Sequence, residues 1–224
     1  MTVDRKPSTA RTQATRARII ATAEQLFAER GVDSVSLNEI TRAAEQKNRN
    51  AVHYHFGNKE ALLAAVFEKH WQPISQQRQQ MIADLALQSS VSLEDVANTL
   101  VQPVAARFED PDGGLSYIKI SAQLAASNIL QFMVRNDSNA PAYGTDMKPL
   151  WEPFLQPLPP AVQTQRLSLA VGMLFHGLAD HAILRESGAA DLANTSFFVS
   201  NLVDSICAVI SAPVSAATRA TLGA

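Results

Sequence analysis

Apolar residues recur at helical spacing almost from one end of this chain to the other, and no stretch alternates with the period of a half-buried strand. The pattern predicts an all-α protein. Ile19, Ile20, Ala23, Leu26 and Phe27 share one face of a helix over 15–30, and Gly31 stands where a left-handed cap is wanted. Ser36 and Glu39 have the spacing of a capping box, in which hydroxyl and carboxylate satisfy each other's orphan backbone N–H groups, for a short second helix ending near Ala44. A polar turn at 45–47 leads to a third helix of barely two turns over 48–56, stopped by Gly57. Asn58 caps a fourth, with Glu60 in its first turn and Leu62, Leu63, Val66, Phe67 and Trp71 as its inward stripe. Pro73 is expected to kink or end it.

Further helices are predicted over 75–88, 92–108, 114–135, 162–186 and 192–211. The segment 136–160 holds six prolines and reads mainly as loop with room for one short helix, and the tail after Pro213 is expected to fray. The division that follows is a flexible basic arm at 1–15, a small helical domain at 16–70, a larger one at 71–213 and a tail at 214–224.

Composition narrows the class. A chain of 224 residues with 46% hydrophobic and 18% charged side chains is neither fibrous nor disordered. The single cysteine, Cys207, closes no internal disulfide, which fits a reducing cytoplasm, and the basic N-terminus lacks the apolar core of a secretory signal. No run of about 18 apolar residues stands out as a membrane span. The net charge of -2 is unevenly spread: residues 1–60 carry ten Lys/Arg against seven Asp/Glu, so the basic character sits at the front, where a polyanion would meet it.

Three short helices with a tight turn between the second and third describe a helix-turn-helix. Val52 and Phe56, one turn apart, anchor the third helix and leave Arg49, Asn50, His53 and Tyr54 pointing away from the core. That surface is rich in donors and almost free of acids. Arg pairs with guanine O6/N7 and Asn with adenine N6/N7, the chemistry by which a helix end in the major groove reads sequence. Lys59 and the amides opening the fourth helix are placed to hold a phosphate.

The string Tyr54-His55-Phe56-Gly57-Asn58-Lys59-Glu60-Ala61-Leu62-Leu63, with Ala23, Leu26, Phe27, Gly31, Ser36, Ile40 and Ala44 before it, resembles the tetracycline-repressor (TetR) family of bacterial regulators. The resemblance covers residues 16–70 and is only architectural beyond them. It implies base contacts from Arg49, Asn50 and His53, and phosphate contacts from Ser36, Tyr54, His55 and Lys59, with Lys47 and Asn48 at the edge of the same surface. Between Ala44 and Tyr54 this chain is one residue longer than the common family pattern, and Glu45 stands where glycine is usual.

Two long apolar helices, carrying Leu167 to Ile183 and then Phe197, Phe198, Leu202, Ile206 and Val209, offer more apolar surface than one subunit readily hides. The resemblance implies a four-helix bundle with a second copy, and hence a homodimer on palindromic operator DNA. Phe108, Tyr117, Gln123, Asn128, Phe132, Trp151, Phe175 and His176 are candidates for lining an effector pocket, and the scarcity of charge over 117–133 points to a largely hydrophobic effector. His176, Asp180 and His181 form the other constellation compatible with chemistry, a metal or a ligand contact, although spacing offers no third ligand. The reading is a ligand-responsive DNA-binding repressor, not an enzyme, with no cofactor, metal or membrane expected. The competing reading is a helical metal- or ligand-binding protein without DNA binding.

Overall fold

The computed structural model describes residues 10–126, 147–188 and 194–222. Residues 1–9 of the arm expected over 1–15, the end of the helix expected over 114–135, Asn128 and Phe132 lie outside the described residues, while 10–15 belong to the first helix, which starts earlier than expected. Every regular element among those described is helical: α1 (Ala10–Arg30), α2 (Leu37–Ala43), α3 (Ala51–Phe56), α4 (Lys59–Leu85), α5 (Leu93–Ala105) running into a 3-10 turn at Ala106–Glu109, α6 (Gly114–Ala126), α7 (Lys148–Leu155), α8 (Pro160–Glu186), α9 (Thr195–Ser211) and α10 (Ala216–Thr221). The tail expected to fray after Pro213 therefore contains a short helix, whose Ser215 hydroxyl caps the Thr218 amide.

The largest departure from the sequence reading is α4. Pro73 does not end it, and the helices expected on either side of that proline are one helix of 27 residues, about 40 Å long along its path. Pro73 removes one backbone donor, a cost of about 3 kcal/mol in an isolated helix. Trp71, Ile74, Arg78 and Leu85 are buried on both sides of it, and that packing keeps the helix intact. Because α4 starts beside α3 and packs further along on α5 and α6, the boundary expected at 70/71 falls in mid-helix, and the apolar core passes through it unbroken.

Two polar contacts lock α6 and the loop before it onto α1. The Gln123 carboxamide works as a fork: its Nε2 donates to the Phe27 carbonyl at 3.1 Å, and its Oε1 accepts from the Val32 amide at 3.1 Å. Both groups lie at the end of α1, where the Val32 amide is past the last helical turn and the Phe27 carbonyl also accepts from the Gly31 amide at 3.0 Å. A turn and a half earlier on α1, Glu24 is buried and meets His70 Nε2 and Lys69 Nζ of α4, while Lys69 also reaches Asp112 at 2.8 Å. Burial alone would depress the Lys69 ammonium, but its hydrogen bonds to Asp112 and Glu24 outweigh that and raise it above the ordinary lysine value. His70 stacks on Tyr117 with ring centroids 4.7 Å apart. Gly113, at φ +84°, lies against the Glu24 carboxylate so closely that a Cβ would come within 2.1 Å of its oxygen.

On the far side, α8 packs on α6 and α9, and Arg166 of α8 donates to the Ile210 carbonyl near the end of α9 at 2.7 Å. Among the described residues α8 has the length and hydropathy of a membrane span, which the sequence reading did not find. The reason is that it is apolar on two faces. Leu174, Phe175, Leu178 and Ala182 go into the core, while Leu169 (59% exposed) and Ile183 (56% exposed) face outward, beside Phe197 (71% exposed) of α9.

The junction yields a stability test. Gly113→Ala puts a methyl group into the Glu24 carboxylate and forces an L side chain into left-handed backbone. A loss of about 2–4 kcal/mol is expected in denaturant unfolding, against near-neutrality for the same substitution at Gly172, where a Cβ meets nothing within 4 Å.

Candidate nucleic-acid interface

The site is built from two short helices and the turn between them. Ser36 and Glu39 form the expected capping box on α2: the Ser36 hydroxyl accepts from the Glu39 amide, and the Glu39 carboxylate accepts from the Ser36 amide and hydroxyl at 2.8 Å. The Ser36 amide and hydroxyl, and then the Arg30 guanidinium at 2.9 Å, hold the Glu39 carboxyl down at about 2. Past the C-cap Ala44, Glu45 adopts φ 52°, the left-handed position that closes a helix and that favours glycine.

The recognition helix starts later than expected, at Ala51 instead of residue 48. Asn48 is responsible. Its Oδ1 accepts from the Asn50 amide at 2.9 Å and its carbonyl from the Ala51 amide at 3.0 Å, a side-chain turn that competes with helix. Lys47, Asn48, Arg49 and Asn50 therefore sit on the exposed turn leading into α3. Ala51, Val52 and Phe56 face inward and are buried, as the spacing of Val52 and Phe56 implied. His53 and Tyr54 face outward, Tyr54 at 80% exposure, and His55 is half-buried with its ring edge-on to Tyr54. Between α2 and α3 lies an open cavity of about 320 Å3 lined by Ser36, Leu37, Asn38, Thr41, Arg49, Asn50 and His53, without a single carboxylate. Asn38, exposed beside Arg49 and Asn50, was not among the sequence candidates; its place in the first turn of α2 was the signal available.

Two expected phosphate ligands are engaged inside the protein. Lys59 Nζ donates to the Val32 and Asp33 carbonyls at 2.9 and 3.2 Å, tying the start of α4 to the loop after α1, and the Ser36 hydroxyl proton goes to Glu39. The resemblance places these residues near DNA, but the local backbone has first claim on their donors. Arg16, grouped with the basic N-terminus on sequence, lies in α1 and donates to the His55 carbonyl at 3.0 Å with its guanidinium 4.2 Å from the Phe56 ring centroid. Burial first, and then the Arg16 charge, push the His55 imidazole below its ordinary value.

This geometry, two short helices about a tight turn with an exposed, acid-free second helix, coincides with a sequence match. Residues 19–66 match the family described as bacterial regulatory proteins, tetR family. That segment is a tetR-family regulatory domain. The chain that carries it is a DNA-binding transcriptional regulator. Two solved structures are similar to it. One is a gamma-butyrolactone receptor described as ArpA-like, 22% identical over 96% of this chain and 94% of that one, with a TM-score of 0.40. The other is a TetR-family transcriptional regulator from Pectobacterium atrosepticum, 21% identical over 89% of this chain and 94% of that one, with a TM-score of 0.37. No curated protein matches the chain.

The residues expected to line an effector pocket are spread through the second half. Phe108 is buried edge-on to His181 at 5.3 Å under the Arg185 guanidinium, Tyr117 is buried between Phe67 and His70, and Gln123 is spent on α1. Trp151 and Phe175 are buried on α7 and α8, while His176 faces out and is separated from them. The structure thus brings Tyr117 and Gln123 to the junction with α1 and α4, and does not gather the set around one point. The constellation at 176, 180 and 181 also divides. His176 and Asp180 are exposed, whereas His181 turns inward, stacks on Phe198 and hydrogen bonds Thr195 Oγ1 at 3.0 Å. Burial, and then Arg185, lower the His181 imidazole below its ordinary value. Among the described residues no group of three metal-ligating side chains converges.

Glu45 gives the turn its own test. Glycine relieves the left-handed strain at φ 52° at a smaller entropic cost, so Glu45→Gly is expected to raise unfolding free energy by about 0.5–1 kcal/mol. Equal or lower stability in denaturant titration would show that the turn does not need that conformation.

Proposed function

We propose that the protein is a cytoplasmic, homodimeric repressor that reads a palindromic operator with Arg49, Asn50 and His53, and is released from it by a small, largely apolar effector. The observation that carries the reading is the exposed, carboxylate-free surface running from Asn38 across Arg49 and Asn50 to His53 and Tyr54. No carboxylate faces outward there, and the Arg and His donors with the two-way Asn amides suit guanine O6/N7 and adenine N6/N7. Tyr54 and His55 flank it as phosphate contacts, with Lys47 and Asn48 on the approach, while Ser36 and Lys59 shape the site more than they touch the DNA.

Residues 16–70 serve as the reading domain and 71–213 as the effector and dimerisation domain, joined through α4. Dimerisation uses the outward face of α8 and α9, where Leu169, Ile183 and Phe197 are left uncovered by their own chain. A second copy there would carry two recognition helices, set for grooves about 34–36 Å apart or a multiple of it. An effector that shifts α6 moves both α4 and, through Gln123 and the Gly113 turn, α1, and so changes that spacing.

The test is a duplex enriched from random DNA by the full-length protein. Arg49→Ala and Tyr54→Ala are expected to lower affinity for it by about ten- to a hundredfold and a few-fold respectively, with folding intact. Affinity falls steeply as salt rises, because phosphate neutralisation releases counterions. Folded variants that both bind like the parent chain would remove the reading head from this surface.

A further inference from the structure

The recognition helix has an unusual mechanical problem. It is six residues long, its N-cap Asn50 gives no side-chain hydrogen bond, and only Ala51, Val52 and Phe56 anchor it from beneath. A helix that short is not stable on its own, and its last carbonyls are left without intrahelical partners. At the N-terminal end the Asn48 turn supplies order. At the C-terminal end the Gly57 amide closes on the His53 carbonyl at 2.9 Å, and the side chain that reaches across from another element is Arg16.

We infer that Arg16 is a positioning residue for operator reading: from α1 it sets the tilt of the recognition helix and acts on DNA only through that helix. This rests on the proposed function. Two contacts on different sides of the guanidinium carry the inference. Its Nη1 donates to the His55 carbonyl at 3.0 Å, where a helix end carries partial negative charge, and its plane lies over the Phe56 ring at 4.2 Å, on the residue that anchors the helix to the core. Together they grip both the backbone end and the buried foot of α3, and α1 is held in turn to α6 through Gln123. Arginine alone combines a planar face with in-plane donors; lysine supplies a point charge. A residue that merely bound phosphate would have its donors turned to solvent, not to a carbonyl of its own chain.

The two roles make different predictions, because seating a helix matters only where bases are read whereas a phosphate contact helps on any sequence. The experiment measures affinity of the full-length chain, Arg16→Gln and Arg16→Lys, for the duplex enriched by the parent protein and for a scrambled duplex of equal length. Arg16→Gln is expected to lose about tenfold on the enriched duplex and less than twofold on the scrambled one, so that discrimination falls about tenfold. Arg16→Lys keeps the charge and is expected to recover less than half of that loss on a logarithmic scale. The His55 imidazole, followed by NMR titration, moves upward toward its ordinary value in Arg16→Gln as the neighbouring charge is removed. Equal losses on both duplexes would make Arg16 a direct phosphate ligand and overturn the inference, as would undiminished discrimination in either variant. If Arg16→Gln melts without cooperativity, Arg16→Lys decides by the same ratio. A parent chain that enriches no duplex overturns the regulator reading itself, a result distinct from a parent that reads DNA as well without Arg16.

Discussion

Six residues of helix cannot hold their own shape in water, and the function of this protein depends on such a helix keeping one orientation. Nucleating a helix fixes several residues for each hydrogen bond gained, so α3 exists because other parts of the fold hold it. Its buried face sits on the core of the first three helices, the Asn48 turn orders its entry, and Gly57 with the Arg16 guanidinium orders its exit. Lys59, tied to the loop after α1, fixes where the next helix begins. Polar side chains such as Ser36 and Lys59 are in this way used to shape the surface, and Arg49, Asn50, His53 and Tyr54 are left exposed on it.

The same logic of holding extends inward. Because α4 continues through Pro73, the reading head and the larger helical half share one rod and one apolar core. The Gln123 fork and the Glu24 cluster add a second attachment that bypasses α4. A rod alone would allow the first three helices to rock about it. Two attachments make their orientation follow that of α6, and burial of Glu24 and His70, with the close fit of Gly113 on the Glu24 carboxylate, makes the attachment costly to break piecemeal.

What could be read from the sequence was what is decided locally. Gly31 and Gly57 at helix ends, the Ser36–Glu39 capping box, the Asn58 cap, and the helical periods of α1, α8 and α9 are short-range devices, and each sits where the sequence placed it. The outward face of α3 was legible for the same reason: Val52 and Phe56 fix which way a helix faces. The misreadings came where a distant partner outvoted a local rule. Packing carried the helix across Pro73, and an Asn48 turn shortened α3. Gln123 looked like a polar pocket group because its partners, Phe27 and Val32, lie 96 and 91 residues away. Arg16 looked like one more charge in a basic arm, and nothing in its neighbourhood along the chain reveals that His55 and Phe56 wait for it. Phe108, Tyr117, Trp151 and Phe175 are buried, and periodicity cannot separate core from cavity wall.

The central claim is that the exposed turn and helix from Arg49 to His55 are the surface that meets base pairs. The most direct measurement is backbone amide NMR of the unmodified protein titrated with its enriched duplex. The account predicts the largest shifts at 49–55 and at Asn38, with smaller ones where Gln123 grips the end of α1. Perturbation confined to α8 and α9, or to no part of the first 60 residues, would contradict it.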